Sequence, residues 1–506
     1  MRRIFLLAST LTLLGCQVMP SAVANPATAT AQGRTNRSVS VPDWAKDAVF
    51  YQIFPERFAN GDKRNDPPKV QAWGGTPENG NYFGGDLQGV MDKLPYLKDL
   101  GVNTLYFNPI FAASSNHKYN TRDYRTIDPQ FGDNALFKRL VTAAHAQGMK
   151  VVLDGVFNHT GDDHYMFQDA EKNGPKSKFW NFYTINGFPI VRDPKPNYNA
   201  WWGFSTLPQL KAKDNPEVQS FLLDTVAEWT KTGIDGWRLD VPNEIDSDHF
   251  WQRFRSTVKG INPNAYIVGE IWTDGRRWLQ GDQFDAVTNY LFREQMINYF
   301  AKGNINTDQV DANLAGIRNL YNPETNNVMF NMLSSHDVPR FLSEAGGDES
   351  AMRLATTFQM TYLGAPVVYY GDEVGMSGAK DPDNRRCFPW DGRQNRQQLD
   401  LTKKLIAWRK AFPSLRRGDF QTIMRHNDNG MWAYQRTAGN DKTAVLLNLG
   451  RQDHATSLDL GKSGWADGKV TDVVSNKTFT ITGGQLKLDS VPARSAMILR
   501  STTAKK

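Results

Sequence analysis

Short apolar runs alternate with amphipathic stretches over most of the chain. Runs that are apolar on both faces are the pattern of strands buried in a parallel sheet. The spacing predicts strands over Val49 to Phe54, Val102 to Phe107, Val151 to Phe157, Gly236 to Leu239, Ala265 to Gly269, Phe284 to Thr288, the segment leading to Asp337, and Pro366 to Tyr370. Helical periodicity covers Val90 to Leu100 and Asn134 to Gln147. Strand–helix alternation at this spacing predicts an α/β fold, a (β/α)8 TIM barrel. From Thr160 to about Leu210 the rhythm breaks into Pro, Gly, Asn and aromatic residues, too long for an ordinary loop, which predicts a subdomain inserted after the third strand. After Phe412 short β runs such as Met431 to Gln435, Thr443 to Asn448 and Ala496 to Leu499 predict a C-terminal antiparallel β domain.

Three carboxylates sit at or just beyond the ends of these runs. Asp240 closes Gly236-Trp237-Arg238-Leu239-Asp240, Glu270 closes Ile267-Val268-Gly269-Glu270, and Asp337 follows Ser334-Ser335-His336. A lone acid after a strand is usually a cap or turn residue. Three acids converging on the C-terminal strand tips of a barrel instead point to paired-carboxylate cleavage of a glycosidic bond. Arg238 lies two residues before Asp240, so both side chains project to one side of the strand and the guanidinium is expected to hold Asp240 ionised. Glu270 follows Val268-Gly269, an apolar setting expected to favour its proton.

From Asp47 to the C-terminus the chain resembles the α-amylase family of glycoside hydrolases (family 13). Four of that family's motifs occur in order: Asp154-Gly155-Val156-Phe157-Asn158-His159, Gly236 to Glu244, Gly269-Glu270-Ile271-Trp272-Thr273-Asp274, and Ser335-His336-Asp337. The resemblance implies Asp240 as nucleophile, Glu270 as general acid/base and Asp337 as transition-state partner. It further implies sugar contacts from His117, Tyr119, His159, Arg238, Glu244, His336, Asp381 and Arg385. Asn243-Glu244 and Ser335 to Arg340 resemble the neopullulanase, cyclomaltodextrinase and maltogenic amylase subgroup, which implies α-1,4 and also α-1,6 cleavage in maltooligosaccharides, starch, pullulan or cyclodextrins. Pro242 and Thr273 depart from that subgroup's usual Ala and His. So does the start of the barrel soon after Cys16, without the subgroup's dimer-forming β domain, and a monomer is expected. An α-glucan transglycosylase using the same residues, and a non-catalytic glucan-binding surface lipoprotein, are the alternatives.

The segment of Asn60, Asp62, Asn65 and Asp66, followed by Gly84 and Asp86, gathers hard oxygen donors. By spacing alone it is a turn-rich loop or a cation site; the resemblance implies calcium, Ca2+, at the subgroup's loop. The calcium site of ordinary α-amylases is expected to be missing, because Asn243-Glu244 stand where a Lys-His pair serves it.

Net charge is +6 and scattered, and no Lys/Arg block marks a nucleic-acid footprint. Arg2-Arg3 and the apolar Ile4 to Leu14 form an export signal too short to span a bilayer. Leu13-Leu14-Gly15-Cys16 resembles a lipoprotein box, giving a signal peptide of 1–15 and a lipid anchor at Cys16; Ala22-Val23-Ala24 offers the competing cleavage, 1–24. The expected product is an exported, membrane-anchored lipoprotein, or else a soluble periplasmic or secreted enzyme. Only Cys16 and Cys387 occur, so no intramolecular disulfide framework is expected. The expected domains are a flexible tether, 16–44, a catalytic barrel, 45–412, with its insertion at 160–206, and a β-sandwich, 413–506.

Overall fold

The computed structural model describes residues 39–501. The expected signal peptide, Cys16 and most of the tether lie outside them.

Eight parallel strands form the barrel: β1 (Phe50–Ile53), β2 (Thr104–Phe107), β5 (Lys150–Gly155), β6 (Gly236–Leu239), β7 (Tyr266–Gly269), β8 (Ala286–Val287), β9 (Phe330–Met332) and β10 (Ala365–Tyr369). A hairpin of β3 (Phe111–Ala113) and β4 (Thr121–Ile127) stands on the loop after β2. Hydrogen bonding runs β8-β7-β6-β5-β2-β1-β10-β9, and Thr288 pairs in parallel with Phe330 to close the ring. Nearly every barrel-strand residue is buried, which is why the runs are apolar on both faces.

The expected sixth strand shrinks to Ala286–Val287, with Thr288 contributing only its bridge. The expected helix from Val90 to Leu100 is two, Leu87–Asp92 and Leu94–Leu100, split at Lys93. Pro95 has no N–H and is tolerated only in the first turn of the second piece. That piece stops at Gly101, whose φ of 97° suits a residue without Cβ.

The two ends of the barrel use charge differently. Asp235, just before β6, binds His145 and Lys150, and Asp285, just before β8, binds Arg255 and Lys259. These acids are paired and lie at the N-terminal face, where they serve structure rather than chemistry. At the opposite face the strand tips carry a cluster of carboxylates around a single buried guanidinium.

The insertion contains a helix, Tyr165–Asn173, short 3-10 turns at Gly174–Lys176, Trp180–Phe182 and Trp201–Gly203, and isolated bridges. His159 pairs with Gln209 and Tyr183 with Leu210, and Gln209 Nε2 donates to Asn158 Oδ1 over 3.0 Å. The subdomain is thereby sewn to the tip of β5.

Beyond the helix Arg396–Ala411, eight antiparallel strands run from β11 (Asp419–His426) to β18 (Ser495–Ser501) and enclose a separate apolar core. They form one hydrogen-bonded sheet rather than two, curling until Thr456 Oγ1 meets Met424 Sδ at 3.3 Å. Arg409 and Arg436, both fully buried, donate to main-chain carbonyls on each side of the junction: Met360, Tyr362 and Gly364 from the first, Thr361 and Gly418 from the second. Carbonyl partners let these guanidinium groups lie in the interior without a carboxylate.

Candidate active site

Asp240, Glu270 and Asp337 meet at the C-terminal face. Arg238, 2% exposed, is the hub beneath them. Its Nη1 lies 2.9 Å from Asp154 Oδ1 and 3.1 Å from Asp240 Oδ1, and its Nη2 lies 3.1 Å from Glu270 Oε2 and 3.8 Å from Asp337 Oδ2. Arg238, expected among the sugar contacts, lies under the carboxylates and supports them from within.

One guanidinium cannot neutralise four acids. Burial, with the charge of Glu270, pushes Asp240 well above the usual carboxylate range, and Arg238 opposes this. Arg238 therefore moderates the Asp240 pKa rather than setting it low. Asp337 is raised to about 7 by burial and Glu270, against Arg238 and Arg385.

The setting expected for Glu270 was apolar. It is lined by donors: the Val241 main-chain N–H gives 3.0 Å to Oε2, and Trp272 Nε1 gives 3.2 Å to Oε1. Trp272 stacks on Tyr290 with centroids 3.8 Å apart and planes 9° apart, and the Tyr290 hydroxyl donates to Asp337 Oδ2 over 3.4 Å. Trp272 is nonetheless 47% exposed, a flat apolar face beside two of the acids.

Tyr119 brings its hydroxyl to Asp154 Oδ2 at 2.8 Å, and its ring is nearly coplanar with that of His336. His117 packs beside Tyr119 and accepts from its main-chain N–H at Nδ1 over 3.1 Å. His159 stacks on Trp201, and its Nε2 donates to the Tyr119 carbonyl. Burial keeps all three imidazoles neutral: His117 falls to about 3, His159 to about 4, and His336 well below the usual range with help from Arg385 and Arg238. Arg385 pairs with Asp381 at 3.0 Å and donates to the His336 carbonyl, and Asn384 Nδ2 donates to the carbonyls of His336 and Val338. That loop is thus fastened to the tip of β9. Glu244 is exposed on the turn after β6 and stands apart from this network.

Sequence reasoning did not single out Asp154 as a hub, though it closes an apolar run just as Asp240 does. Tyr106, Tyr290, Gln52 and Asn384 were also passed over. Their side chains come from separate elements, and no local spacing announces them.

The loop expected to hold calcium is built as follows. Asn60 Nδ2 donates to Asp66 Oδ1, and Asn65 Nδ2 to Asp86 Oδ2, leaving the amide oxygens of Asn60 and Asn65 buried without partners. Gly84, at φ 83°, lies against Asp66 and Asn60 so closely that a Cβ would collide with both. Asp86 accepts from the N–H groups of Gly61, Asp62 and Gly89, and Asp62 turns outward to Arg64. Among the described residues no group of three or more His, Cys, Asp or Glu forms a metal cluster. Orphaned amide oxygens beside a carboxylate nevertheless fit a hard cation held mainly by amide and main-chain oxygens.

Comparison with known proteins places this geometry. Residues 52–407 match the alpha amylase catalytic domain, and residues 420–498 the maltogenic amylase C-terminal domain. The chain belongs to the α-amylase family of glycoside hydrolases. It is 46% identical to neopullulanase 2 of Thermoactinomyces vulgaris, over 90% of this chain and 77% of that protein. It is 45% identical to a cyclomaltodextrinase of Thermoanaerobacter pseudethanolicus, over 91% of this chain and 78% of the relative. Among solved structures, the cyclic α-maltosyl-(1→6)-maltose hydrolase of Arthrobacter globiformis, in complex with that sugar, superposes with a TM-score of 0.83 at 37% identity, over 92% of this chain and all of that one. This α-amylase-family enzyme is therefore a glycosidase of α-glucans.

Proposed function

We propose that the enzyme is a retaining hydrolase of α-1,4-glucosidic bonds in maltooligosaccharides, starch, pullulan or cyclodextrins, with α-1,6 bonds as a second target. The observation that carries this reading is the binding of Asp240 and Glu270 to the two terminal nitrogens of Arg238. Fastening both carboxylates to one planar group supports the short separation, about 5–5.5 Å, that a retaining mechanism needs. Once Glu270 carries the proton its charge no longer raises Asp240, and Asp240, favoured as a carboxylate by Arg238, attacks the anomeric carbon while Glu270 protonates the leaving oxygen; Glu270 then deprotonates the water that releases the sugar. Asp337, whose pKa burial raises to about 7 against the pull of Arg238 and Arg385, meets the hydroxyls of the distorted sugar. Tyr119 and Trp272 supply apolar faces for glucose rings.

We also propose one structural calcium ion at Asn60, Asp62, Asn65, Asp66, Gly84 and Asp86. Asn60, Asn65 and Asp66 would offer side-chain oxygen, and Asp62 and Gly84 main-chain oxygen. The ion's role is to hold the loop after β1, not to take part in bond cleavage.

Side-by-side incubation with starch, pullulan and β-cyclodextrin tests the reading. Reducing sugar should appear from at least one of them. Inertness towards all three, with intact fold, would overturn it.

A further inference from the structure

Resting on the reading above, we infer that Gln52 on β1 is a positioning residue that locks His336 in its Nε2–H tautomer, so that the imidazole donates to the Tyr119 hydroxyl and fixes the orientation of Tyr119 beside the bound sugar.

Arg238 Nη1 lies 2.9 Å and 3.1 Å from the two oxygens of Asp154. The Tyr106 hydroxyl also donates to Oδ2, over 2.7 Å, so with a guanidinium on both oxygens Asp154 is surrounded by donors and accepts from each. Tyr119 must then spend its single hydroxyl proton on Asp154 Oδ2, 2.8 Å away. Its oxygen is left to accept from its two other neighbours. One is Asn108 Nδ2 at 3.0 Å, which turns Asn108 Oδ1 towards Gln52. The other is His336 Nε2 at 2.6 Å, which must carry hydrogen.

The second half of the ring of contacts gives the same answer. Gln52 Nε2 reaches both Asn108 Oδ1, at 3.1 Å, and His336 Nδ1, at 2.9 Å. Because Asn108 presents oxygen, Gln52 presents its amide N–H groups, and His336 Nδ1 must be a bare acceptor. Two routes that part at the Tyr119 hydroxyl therefore end on the same tautomer. Gln52, Asn108 and His336 are at most 2% exposed, so no solvent competes to scramble the assignment.

The consequence lies at Tyr119. With hydrogen on Nε2 the ring donates to the Tyr119 hydroxyl oxygen, 2.6 Å away, and keeps that hydroxyl's own proton on Asp154. Asp337 Oδ1 lies beside this bond, 3.0 Å from Nε2. In the other tautomer a lone pair would face Tyr119 and draw its proton away from Asp154. The charged and titratable groups around the ring are Arg238, Arg385, His117, Asp154, Tyr119 and Asp337, and the two guanidinium groups disfavour imidazolium. A neutral ring needs a neighbour to choose its tautomer, and among the described residues Gln52 is the one that hydrogen-bonds Nδ1.

The test reads the tautomer first. ¹⁵N-histidine NMR of the wild-type enzyme, with His336 assigned by difference from His336→Gln, should show pyridine-type Nδ1 and pyrrole-type Nε2, unchanged from pH 5 to 8. Gln52→Leu should mix or reverse the tautomers and lower kcat/KM about tenfold, the loss of one oriented hydrogen bond. Gln52→Glu should place an acceptor at Nδ1, raise the His336 pKa, and introduce a new ionisation in the pH profile that wild type lacks. Pyrrole-type Nδ1 in wild type would overturn the inference, as would a folded Gln52→Leu with unchanged spectrum and kcat/KM. The NMR reading needs no turnover. An enzyme inert on α-glucans but carrying the Nε2–H tautomer would sink the proposed function alone, and an active enzyme with the reversed tautomer would sink this inference alone.

Discussion

The main-chain N–H of Val241 donates to Glu270 Oε2 over 3.0 Å, and Val241 itself adopts φ 33°, ψ 50°, in the left-handed region. A β-branched residue is costly there. It follows Asp240 directly, so one unfavourable conformation aims the acid/base from the residue next to the nucleophile.

Val241→Gly should relieve that conformation. Its melting temperature should stay close to wild type, because strain relief offsets lost packing and the about 0.4–1 kcal/mol that glycine costs through the unfolded chain. Activity should still fall several-fold, because both acids lose a stiff hinge. A large drop in melting temperature would show that the left-handed residue carries no strain.

Asp337 predicts a pH-dependent stability. Its folded pKa, raised to about 7, lies above the unfolded value of about 3.9. As pH rises between these values the unfolded chain releases the proton first, so this group's contribution to stability falls across the window and stays low above it. Asp337→Asn removes the effect. Its melting temperature should gain on wild type from pH 4 to about 7 and hold that gain above. A difference that is flat from pH 4 to 8, or that narrows, would contradict the cause assigned here.

The barrel was legible because burial on both faces forces apolar runs, and an acid ending such a run cannot be explained by packing. Asp240, Glu270 and Asp337 stood out for that reason. What Arg238 does was half legible. Its spacing from Asp240 gives a shared strand face, but its contacts with Asp154, Glu270 and Asp337 cross three other strand tips, and no local pattern encodes them. The same holds for Glu270, whose donors, Val241 and Trp272, lie outside its own strand. Electrostatic setting is a tertiary property, and adjacent residues do not encode it.

Calcium removal should lower the melting temperature, since an ion bound only by the folded chain stabilises it by mass action. Asn65→Leu should abolish the effect of a chelator, by removing one of the two orphaned amide oxygens. Elemental analysis of protein purified without chelator should find about one calcium per chain. Metal-free protein with an unaltered melting curve in calcium would count against the site.

The central claim is that Asp240 forms a covalent bond with the sugar. A fluorinated α-glycosyl fluoride slows release of the glycosyl-enzyme more than its formation, so the intermediate accumulates and can be weighed. Mass spectrometry of the digested protein should find one glycosyl adduct, on the peptide containing Asp240 and at that carboxylate. An adduct on Glu270 or Asp337, or an adduct-free enzyme whose first product from maltooligosaccharide is the β-anomer, would contradict the account.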